Sequence, residues 1–146
     1  MTMSYNSDNI FAKILRGEIP CHKVYEDDKT LAFMDVMPQA TGHVLVVPKY
    51  QAVELTDLPL EYATAVIATA QKIIKAQRKA LGVNGVVQMQ LNHQDAGQSV
   101  FHYHLHLIPS HVHELGKHEG SFADPDELAL LASKISAKID DGVVTA

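Results

Sequence analysis

The sequence has only one cysteine, Cys21, and it has no long apolar stretch. A single thiol cannot close a disulfide within the chain, so nothing in the sequence indicates an oxidising compartment. No apolar run approaches the roughly 18 residues that a membrane span requires. The segment from Met1 to Asn9 is polar and lacks the hydrophobic centre of a signal peptide. We therefore expect a cytoplasmic protein with no membrane partner.

Positive charge is also scarce. The chain has 12 Lys and Arg against 17 Asp and Glu, which gives a formal net charge of -5. Proteins that bind nucleic acid usually present a basic face, so this balance argues against a nucleic-acid partner. The length of 146 residues fits one domain, residues 1–146, with an apolar content of 47% that can form a substantial core.

What the sequence does contain is a row of three histidines, at 102, 104 and 106, within the apolar run 101–108. This period of two predicts a β-strand over 100–108. In such a strand the three imidazoles share one face and lie about 6.6 Å apart, at about 3.3 Å per residue. The intervening apolar residues would then pack into a core from the other face: Phe101, Tyr103, Leu105 and Leu107.

Three explanations of the histidine row are open from the residues alone. A single strand histidine is usually structural, but three in strict alternation need a further reason. Two histidines at i and i+2 can chelate zinc, although the outer pair would lie about 13 Å apart and only Asp95 offers a nearby carboxylate. Imidazole also titrates near neutrality, so the row can supply an acid, a base or a nucleophile.

The first half of the chain is predicted to form short elements. Residues 1–7 are expected to be a flexible segment, and Asp8 is expected to cap a helix at 9–16. Alternating and β-branched residues predict four strands before the histidine strand, at 24–26, 30–35, 43–48 and 86–92. A loop is expected at 93–98.

Two further helices are predicted. The longer one is expected to run from about Pro59 to Leu81, because proline suits a first turn and Gly82 suits the residue after the last turn. Asp124 and Glu127 predict a capping box for a final helix that ends near 139. Strands joined by short turns, with a long helix between them, predict an α+β domain with an antiparallel sheet.

The residues from 102 to 108 resemble the signature of the histidine triad (HIT) family, in which three histidines alternate with apolar residues. The resemblance extends from residue 9 to 110 and gives a core at 8–110, followed by a C-terminal tail at 111–146 with a helix near 125–139. The matching segments outside the triad are Phe11-Ala12-Lys13-Ile14, Gly17-Glu18-Ile19-Pro20, Tyr25-Glu26-Asp27-Asp28, Pro38-Gln39-Ala40, Gly42-His43, Val47-Pro48-Lys49 and Ala96-Gly97-Gln98-Ser99-Val100.

The resemblance implies a HIT-like fold, with a five-stranded antiparallel sheet, one long helix and one or two short ones. It also implies a homodimer in which the long helix and a sheet edge meet their mates, giving a ten-stranded sheet. We expect Ala70 to lie near the two-fold axis. The alanines that permit close packing there, which also reflect plain helix propensity, are Ala63, Ala65, Ala68 and Ala70.

The sequence departs from the family pattern at a zinc site that some bacterial relatives carry. The positions that correspond to its cysteines and histidine are Asn9, Ala12 and Gln51, and none of these is a plausible zinc ligand. We therefore expect neither a structural metal nor a cofactor. Gln51 also stands where the phosphoramidate-hydrolysing branch commonly has histidine.

The resemblance implies catalytic roles for five residues. His104 would be the nucleophile, with its second ring nitrogen bonded to the His102 carbonyl. His106 would contact the phosphate and the leaving group, while His43 would brace the triad. Ser99 could donate a hydrogen bond to the leaving group. The backbone at Gly97 and Gln98 is expected to approach a phosphate.

The resemblance also implies binding residues. Asp35 would accept hydrogen bonds from both ribose hydroxyls. Asn92 could bind ribose or phosphate, and Val100 is expected beside the substrate. An apolar pocket for the base would be formed by Phe11, Ile14, Phe33 and Val36, which are equally suited to a plain core. Four other histidines have no matching role and are expected in loops or on the surface: His93, His111, His113 and His118.

The resemblance is to the Hint-type branch of the family, so the expected function is hydrolysis of purine nucleoside 5′-phosphoramidates through a nucleotidyl-histidine. A dinucleoside polyphosphate hydrolase is the nearest alternative, although that branch usually has glutamine where His106 stands. A nucleotide-binding regulatory protein with little turnover and a metal-binding protein that uses His102 and His104 are also open.

Overall fold

A computed structural model describes residues 3–116 and 121–140. Five strands form one antiparallel sheet in the order β1-β2-β3-β5-β4. The predicted α+β class, with a five-stranded sheet, one long helix and short ones, is confirmed. The elements in chain order are α1 (Ile10–Leu15), β1 (Lys23–Glu26), β2 (Thr30–Met34), β3 (Val44–Pro48), α2 (Leu60–Leu81), β4 (Val87–Met89), β5 (Leu105–Ile108) and α3 (Pro125–Ser136), with single 3-10 turns at Leu55–Asp57, Gln94–Ala96 and Val112–Glu114.

The sheet buries both of its faces, in two separate apolar cores. Alternate residues of β3 point to opposite faces, so Val44 and Val46 join one core while Leu45 and Val47 join the other. Helices α2 and α3 cover the first face. Helix α1 covers the second face through Phe11, which packs edge-on against Phe33. The second face is also the one on which His43, His104 and His106 lie.

Helix α2 ends as predicted, because Gly82 adopts the left-handed conformation with φ 68°. The expectation for Ala70 is wrong. Ala70 is 2% exposed and packs inside the chain's own core, so it cannot lie on an intermolecular axis. An apolar stripe lies instead on a flank of α2, where Leu60 and Ile67 are exposed and Ile74 is partly exposed at seven-residue spacing.

The histidine strand is shorter than predicted. Ladder pairing begins only at Leu105. β3 continues to Pro48, but only its residues 44–46 pair with β5, at 105–107. The predicted alternation nevertheless holds for Tyr103, Leu105 and Leu107, which all join the first core. Residues 101–104 are held outside the ladder, and Tyr103 donates its backbone N–H to the Ala52 carbonyl.

The N-terminal segment differs from the prediction. The Asn9 side chain, rather than that of Asp8, caps α1 by accepting the Ala12 N–H at 2.9 Å. The expected flexible segment at 1–7 is wrong for its last residues. The Ser7 carbonyl accepts from Arg16, and the Tyr5 hydroxyl lies against His102.

The final helix is confirmed, with Pro125 in its first turn, but it ends at Ser136. The predicted capping box is wrong, since the Asp124 side chain makes no capping bond. The helix packs Leu128, Ala132 and Ile135 into the same core as α2. Within the described ranges, no helix is long and apolar enough to cross a membrane.

Candidate active site

The middle histidine of the row, His104, offers one free ring nitrogen. Its Nδ1 lies 2.7 Å from the His102 carbonyl oxygen, which can only accept a hydrogen bond, so Nδ1 carries the proton. Burial lowers the pKa of His104 below its usual 6.5, and the ring is therefore neutral at pH 7. The lone pair is on Nε2, as nucleophilic attack requires.

His106 has the opposite tautomer, which is set by a chain of hydrogen bonds that starts at the backbone. The Gln39 N–H donates to His43 Nδ1 at 3.0 Å, so a neutral His43 carries its proton on Nε2. His43 Nε2 lies 3.0 Å from His106 Nδ1 and donates to it. His106 consequently keeps its own proton on Nε2. The rings of His104 and His106 lie 4.9 Å apart, so a lone pair and an N–H donor stand side by side.

Burial keeps both His43 and His106 neutral. It lowers the pKa of His43 to about 3, with further lowering by charge on His106 and His104. It lowers the pKa of His106 to about 4, again with a contribution from His104. Asp35 Oδ2 lies 3.5 Å from His43 Nε2, which resembles an ion pair. Because His43 is neutral at pH 7, the contact between Asp35 and His43 is dipolar rather than ionic.

The backbone around His43 and His106 is fixed from α2. The Gln77 amide, fully buried, donates to the carbonyls of Gly42 at 2.9 Å and Leu107 at 3.0 Å. These are the residues directly before His43 and directly after His106. Gly42 has φ +87°, and a Cβ there would overlap the Leu81 side chain, so only glycine fits.

His102 faces away from this pair and is held on both ring nitrogens. Its Nε2 lies 2.9 Å from the Pro48 carbonyl, and its Nδ1 lies 2.6 Å from the Tyr5 hydroxyl. Burial lowers the pKa of His102 to about 4, with a smaller lowering by His104. His102 is therefore a neutral residue whose backbone carbonyl orients His104.

Asp35, the residue predicted to contact ribose, lies beside His43. It follows β2, and its side chain is 18% exposed. Oδ1 accepts the Met37 N–H at 2.8 Å, which leaves Oδ2 as the more open oxygen. Burial raises the pKa of Asp35, partly offset by the bond from Met37.

The loop before the triad differs from the prediction. The Gly97 N–H donates to Gln94 and the Gln98 N–H donates to His93, so neither is available to a phosphate. The Gln98 side chain is 3% exposed; it accepts from the His93 N–H and donates to Val53 and Val100 carbonyls. Gln98 is thus a brace of the loop. The predicted phosphate contacts of Gly97 and Gln98 are not supported by this geometry.

Ser99 is the donor that this loop leaves open. It is exposed, and no described residue hydrogen-bonds its N–H or its hydroxyl.

Asn92 Oδ1 is occupied, since it accepts from the Leu55 N–H at 2.9 Å and from Gln90 at 3.0 Å. Only the Asn92 amide NH₂ can therefore reach a substrate.

His93 is strained, a feature that the sequence did not reveal. Its φ of 82° with ψ of 152° lies in a region that usually requires glycine. The ring Nδ1 accepts the Asp95 N–H at 3.1 Å, which places the proton on Nε2. His93 is the residue directly before the 3-10 turn at Gln94–Ala96, and its conformation directs the chain toward Ser99.

Three of the four predicted pocket residues share one core, and Phe11 of that core lies beside His104. Phe11 lies edge-on to the His104 ring at 4.9 Å and shares the second core with Phe33. Ile14 and Val100 are partly buried against the same core. Val36 is 44% exposed and lies outside that core. Phe11 is thus a core residue that also borders His104, and Phe33 packs behind it.

One group of side chains in the described part of the chain has metal-ligand spacing. The ligand atoms of Asp35, His43 and His106 lie within 4.8 Å of one another. His43 could coordinate through Nε2 only by losing the proton there, because its Nδ1 already accepts the Gln39 N–H. The donor set therefore fits a hydrogen-bonded chain better than a metal ion.

The tail histidines contact one another rather than the triad. The His111 and His113 rings lie 4.8 Å apart, and His111 Nδ1 accepts the His113 N–H. Both are exposed, as predicted. His118 lies outside the described residues.

Comparison with known proteins identifies the family. The model of the HIT domain matches residues 16–117. The chain belongs to the HIT family. The Hit protein of Bacillus subtilis is 37% identical over 139 residues, which cover 89% of this chain and 93% of that protein. The adenosine 5′-monophosphoramidase of Schizosaccharomyces pombe is 37% identical over 133 residues, which cover 89% and 97%. This HIT protein also resembles the crystal structure of a Hit-like protein from Bartonella henselae, with a TM-score of 0.87, 42% identity and coverage of 94% of this chain and 100% of the other.

Proposed function

We propose that this HIT protein hydrolyses purine nucleoside 5′-phosphoramidates through a covalent nucleotidyl intermediate on His104. The observation that carries the proposal is the pair of neutral rings with opposite tautomers, the His104 lone pair beside the His106 N–H. The relative named as an adenosine 5′-monophosphoramidase supports the same reaction.

In the first step His104 Nε2 attacks the α-phosphorus, and the phosphorus–nitrogen bond breaks. The leaving nitrogen takes the bonding electrons and a proton, which solvent supplies through the exposed Ser99 hydroxyl. The attacking imidazole becomes positively charged, and its Nδ1 proton stays bonded to the His102 carbonyl. The His106 N–H donates to a phosphoryl oxygen as negative charge develops there.

In the second step water attacks the phosphorus, and the bond from phosphorus to His104 Nε2 breaks. The water gives up one proton to solvent, which balances the proton consumed by the leaving amine. The products are the free amine and a nucleoside monophosphate, and His104 returns to its neutral tautomer. A lowered pKa favours both halves of this cycle, because a neutral ring is both the attacking group and the leaving group.

The function is tested by comparing kcat/KM for adenosine 5′-phosphoramidate with kcat/KM for diadenosine polyphosphates. We expect the phosphoramidate to be preferred. The His106 N–H donates to a phosphoryl oxygen beside the leaving nitrogen, and solvent can protonate that nitrogen as it leaves. A preference for diadenosine polyphosphates would assign the protein to the alternative hydrolase branch. Tight nucleotide binding without turnover of either substrate would favour a regulatory protein.

Replacement of Asp35 by alanine should weaken binding of ribonucleotides by about 1.5–3 kcal/mol, the value of a hydrogen bond to a charged acceptor. The 2′-deoxy substrate should lose less, because it offers one hydroxyl fewer to Oδ2. The measurement is kcat/KM for both sugars with each variant. Asp35→Asn is the matched variant, since its amide oxygen can still accept the Met37 N–H. Equal losses for both sugars would remove Asp35 from the ribose contact.

We also propose that the protein is a homodimer whose interface includes the apolar stripe on α2. β4 is one of the two edges of the sheet, so helix and edge can meet their mates in the predicted ten-stranded arrangement. Ile67→Glu should disfavour the dimer, because a two-fold interface brings the two new carboxylates together. Leu130→Glu places the same charge at an apolar position of α3 that is 69% exposed, away from the stripe, and should leave the dimer intact. Sedimentation of each variant decides, and a monomeric wild-type protein at micromolar concentration would contradict the proposal.

A further inference from the structure

The ring of His102 is not needed for the reaction proposed above, yet it is almost fully buried, at 1% exposure. Its carbonyl is needed, because that oxygen holds the proton of the nucleophile at 2.7 Å. The ladder of the sheet does not fix this carbonyl, since β5 begins only at Leu105. Two other restraints hold it: the Tyr103 N–H of the same peptide unit, which donates to the Ala52 carbonyl at 2.8 Å, and the contacts of the His102 side chain.

Two groups hold the His102 ring from opposite sides. The Pro48 carbonyl can only accept, so His102 Nε2 carries the proton and donates to it at 2.9 Å. The neutral ring then has a bare Nδ1, which must accept. The Tyr5 hydroxyl lies 2.6 Å from Nδ1, and the two rings meet edge-on at 5.6 Å. The direction of this bond is therefore fixed, with Tyr5 as the donor.

The hydroxyl remains a donor throughout the neutral range. Burial raises the pKa of Tyr5, so the phenol stays protonated. Tyr5 reaches the triad from 97 residues away in sequence, and its segment is held to α1 through the bond from Arg16 to the Ser7 carbonyl. The contact lies in a cavity of about 300 Å³ that Tyr50 and Gln51 also line.

We propose that Tyr5 is a positioning residue of the active site: its hydroxyl fixes the His102 ring, and through the His102 carbonyl it fixes the tautomer and orientation of the nucleophile His104. This proposal rests on the proposed function. Removal of the hydroxyl leaves a buried nitrogen without a donor, and the ring is then held only by its Nε2 bond to the Pro48 carbonyl. The His102 carbonyl then samples positions from which it holds the His104 proton less well.

Tyr5→Phe tests the proposal, since it removes one oxygen and retains the ring. We expect kcat for adenosine 5′-phosphoramidate to fall about three- to tenfold, the effect of one hydrogen bond, while KM changes less than about twofold. Tyr50→Phe is the matched control. Tyr50 lines the same cavity, packs against Tyr62 at 5.1 Å and is 41% exposed, so its variant should keep the wild-type kcat.

Ring ¹⁵N spectra of the free protein give a readout that does not depend on turnover. In the wild type we expect His102 protonated on Nε2 with a hydrogen-bonded Nδ1, and His104 protonated on Nδ1. In Tyr5→Phe the Nδ1 resonance of His102 should move downfield, and His104 should show a mixture of tautomers.

The outcomes separate the two proposals. A wild-type protein that does not turn over phosphoramidates overturns the proposed function, whereas the spectra still decide the role of Tyr5. An unchanged kcat together with an unchanged His104 tautomer in Tyr5→Phe overturns the role of Tyr5. If the variant does not fold, the wild-type spectrum is decisive, since a proton on His102 Nδ1 would exclude Tyr5 as the donor.

Discussion

Replacement of His104 by alanine is expected to abolish the nucleotidyl intermediate and to reduce turnover on the order of 10⁴- to 10⁶-fold, as for loss of other enzyme nucleophiles. No other group in the described site can substitute for it. His106 Nδ1 accepts the hydrogen bond from His43, so His106 Nε2 carries the proton and has no lone pair for attack. His102 has both of its ring nitrogens occupied by Tyr5 and Pro48.

Nucleotide binding should survive the same substitution, because the groups proposed to hold ribose and base lie elsewhere, at Asp35 and in the core around Phe33. Rapid-quench turnover and mass spectrometry of protein stopped in alkaline denaturant, where a phosphorus–imidazole bond survives, measure the rate and the intermediate. His111→Ala removes an exposed histidine outside the site and should retain both. Near-normal turnover in His104→Ala would refute a covalent mechanism on this residue.

The sequence was sufficient to predict the alternation of the triad with core residues, because the signal is local. Period-two spacing places alternate side chains on one face whether or not each residue is paired in a ladder. The same reasoning explains the error in the strand length. His102 and His104 follow the pattern of β5, but the backbone between them is bonded outside the sheet, where the Tyr103 N–H donates to the Ala52 carbonyl.

The contacts of Tyr5 and Gln98 could not be predicted, because they depend on which distant polar groups remain unpaired. A polar N-terminal segment is typical of a mobile tail, and nothing near Tyr5 in sequence indicates a buried acceptor 97 residues away. The Gln98 amide can donate and accept in several directions, and only the folded loop determines that it braces His93 and Val53.

The surface of α2 shows a different limit. Apolar residues cover more than half of its circumference, so periodicity could not separate the face that packs inside the chain from one that meets a partner. The structure assigns Ala70 to the internal face and leaves Ile67 exposed. The substitution that tests dimerisation is therefore at Ile67 rather than at Ala70.

Acidification is expected to destabilise the protein well above the pH at which carboxylates begin to titrate. Four histidines of the site are neutral and buried, and burial lowers the pKa of each. The pKa values of His43, His102 and His106 fall to about 3, about 4 and about 4, and that of His104 is lowered as well. In the unfolded chain the same rings titrate near 6.5.

The sign follows from proton binding. Below about pH 6.5 the unfolded chain binds protons that the native site does not bind, so stability falls as pH falls. The loss continues until the pH approaches the folded-state pKa values of about 4. Three such rings give a loss of up to about 5 kcal/mol between pH 6.5 and pH 5, which is comparable to the whole stability of many domains. The raised pKa of Asp35 acts in the opposite direction, because its native state holds a proton more readily than the unfolded chain does.

Urea unfolding at several pH values between 7.5 and 5 measures this loss, in a range where most carboxylates stay ionised in both states. His102→Gln should reduce the pH dependence by about a third, since it removes one of the three strongly shifted rings. His111→Gln, at an exposed position, is the matched control and should keep the wild-type slope. A stability that stays flat from pH 7 to pH 5 would mean that the native site accepts protons in this range, and the neutral pair of His104 and His106 on which the mechanism depends would then have to be abandoned.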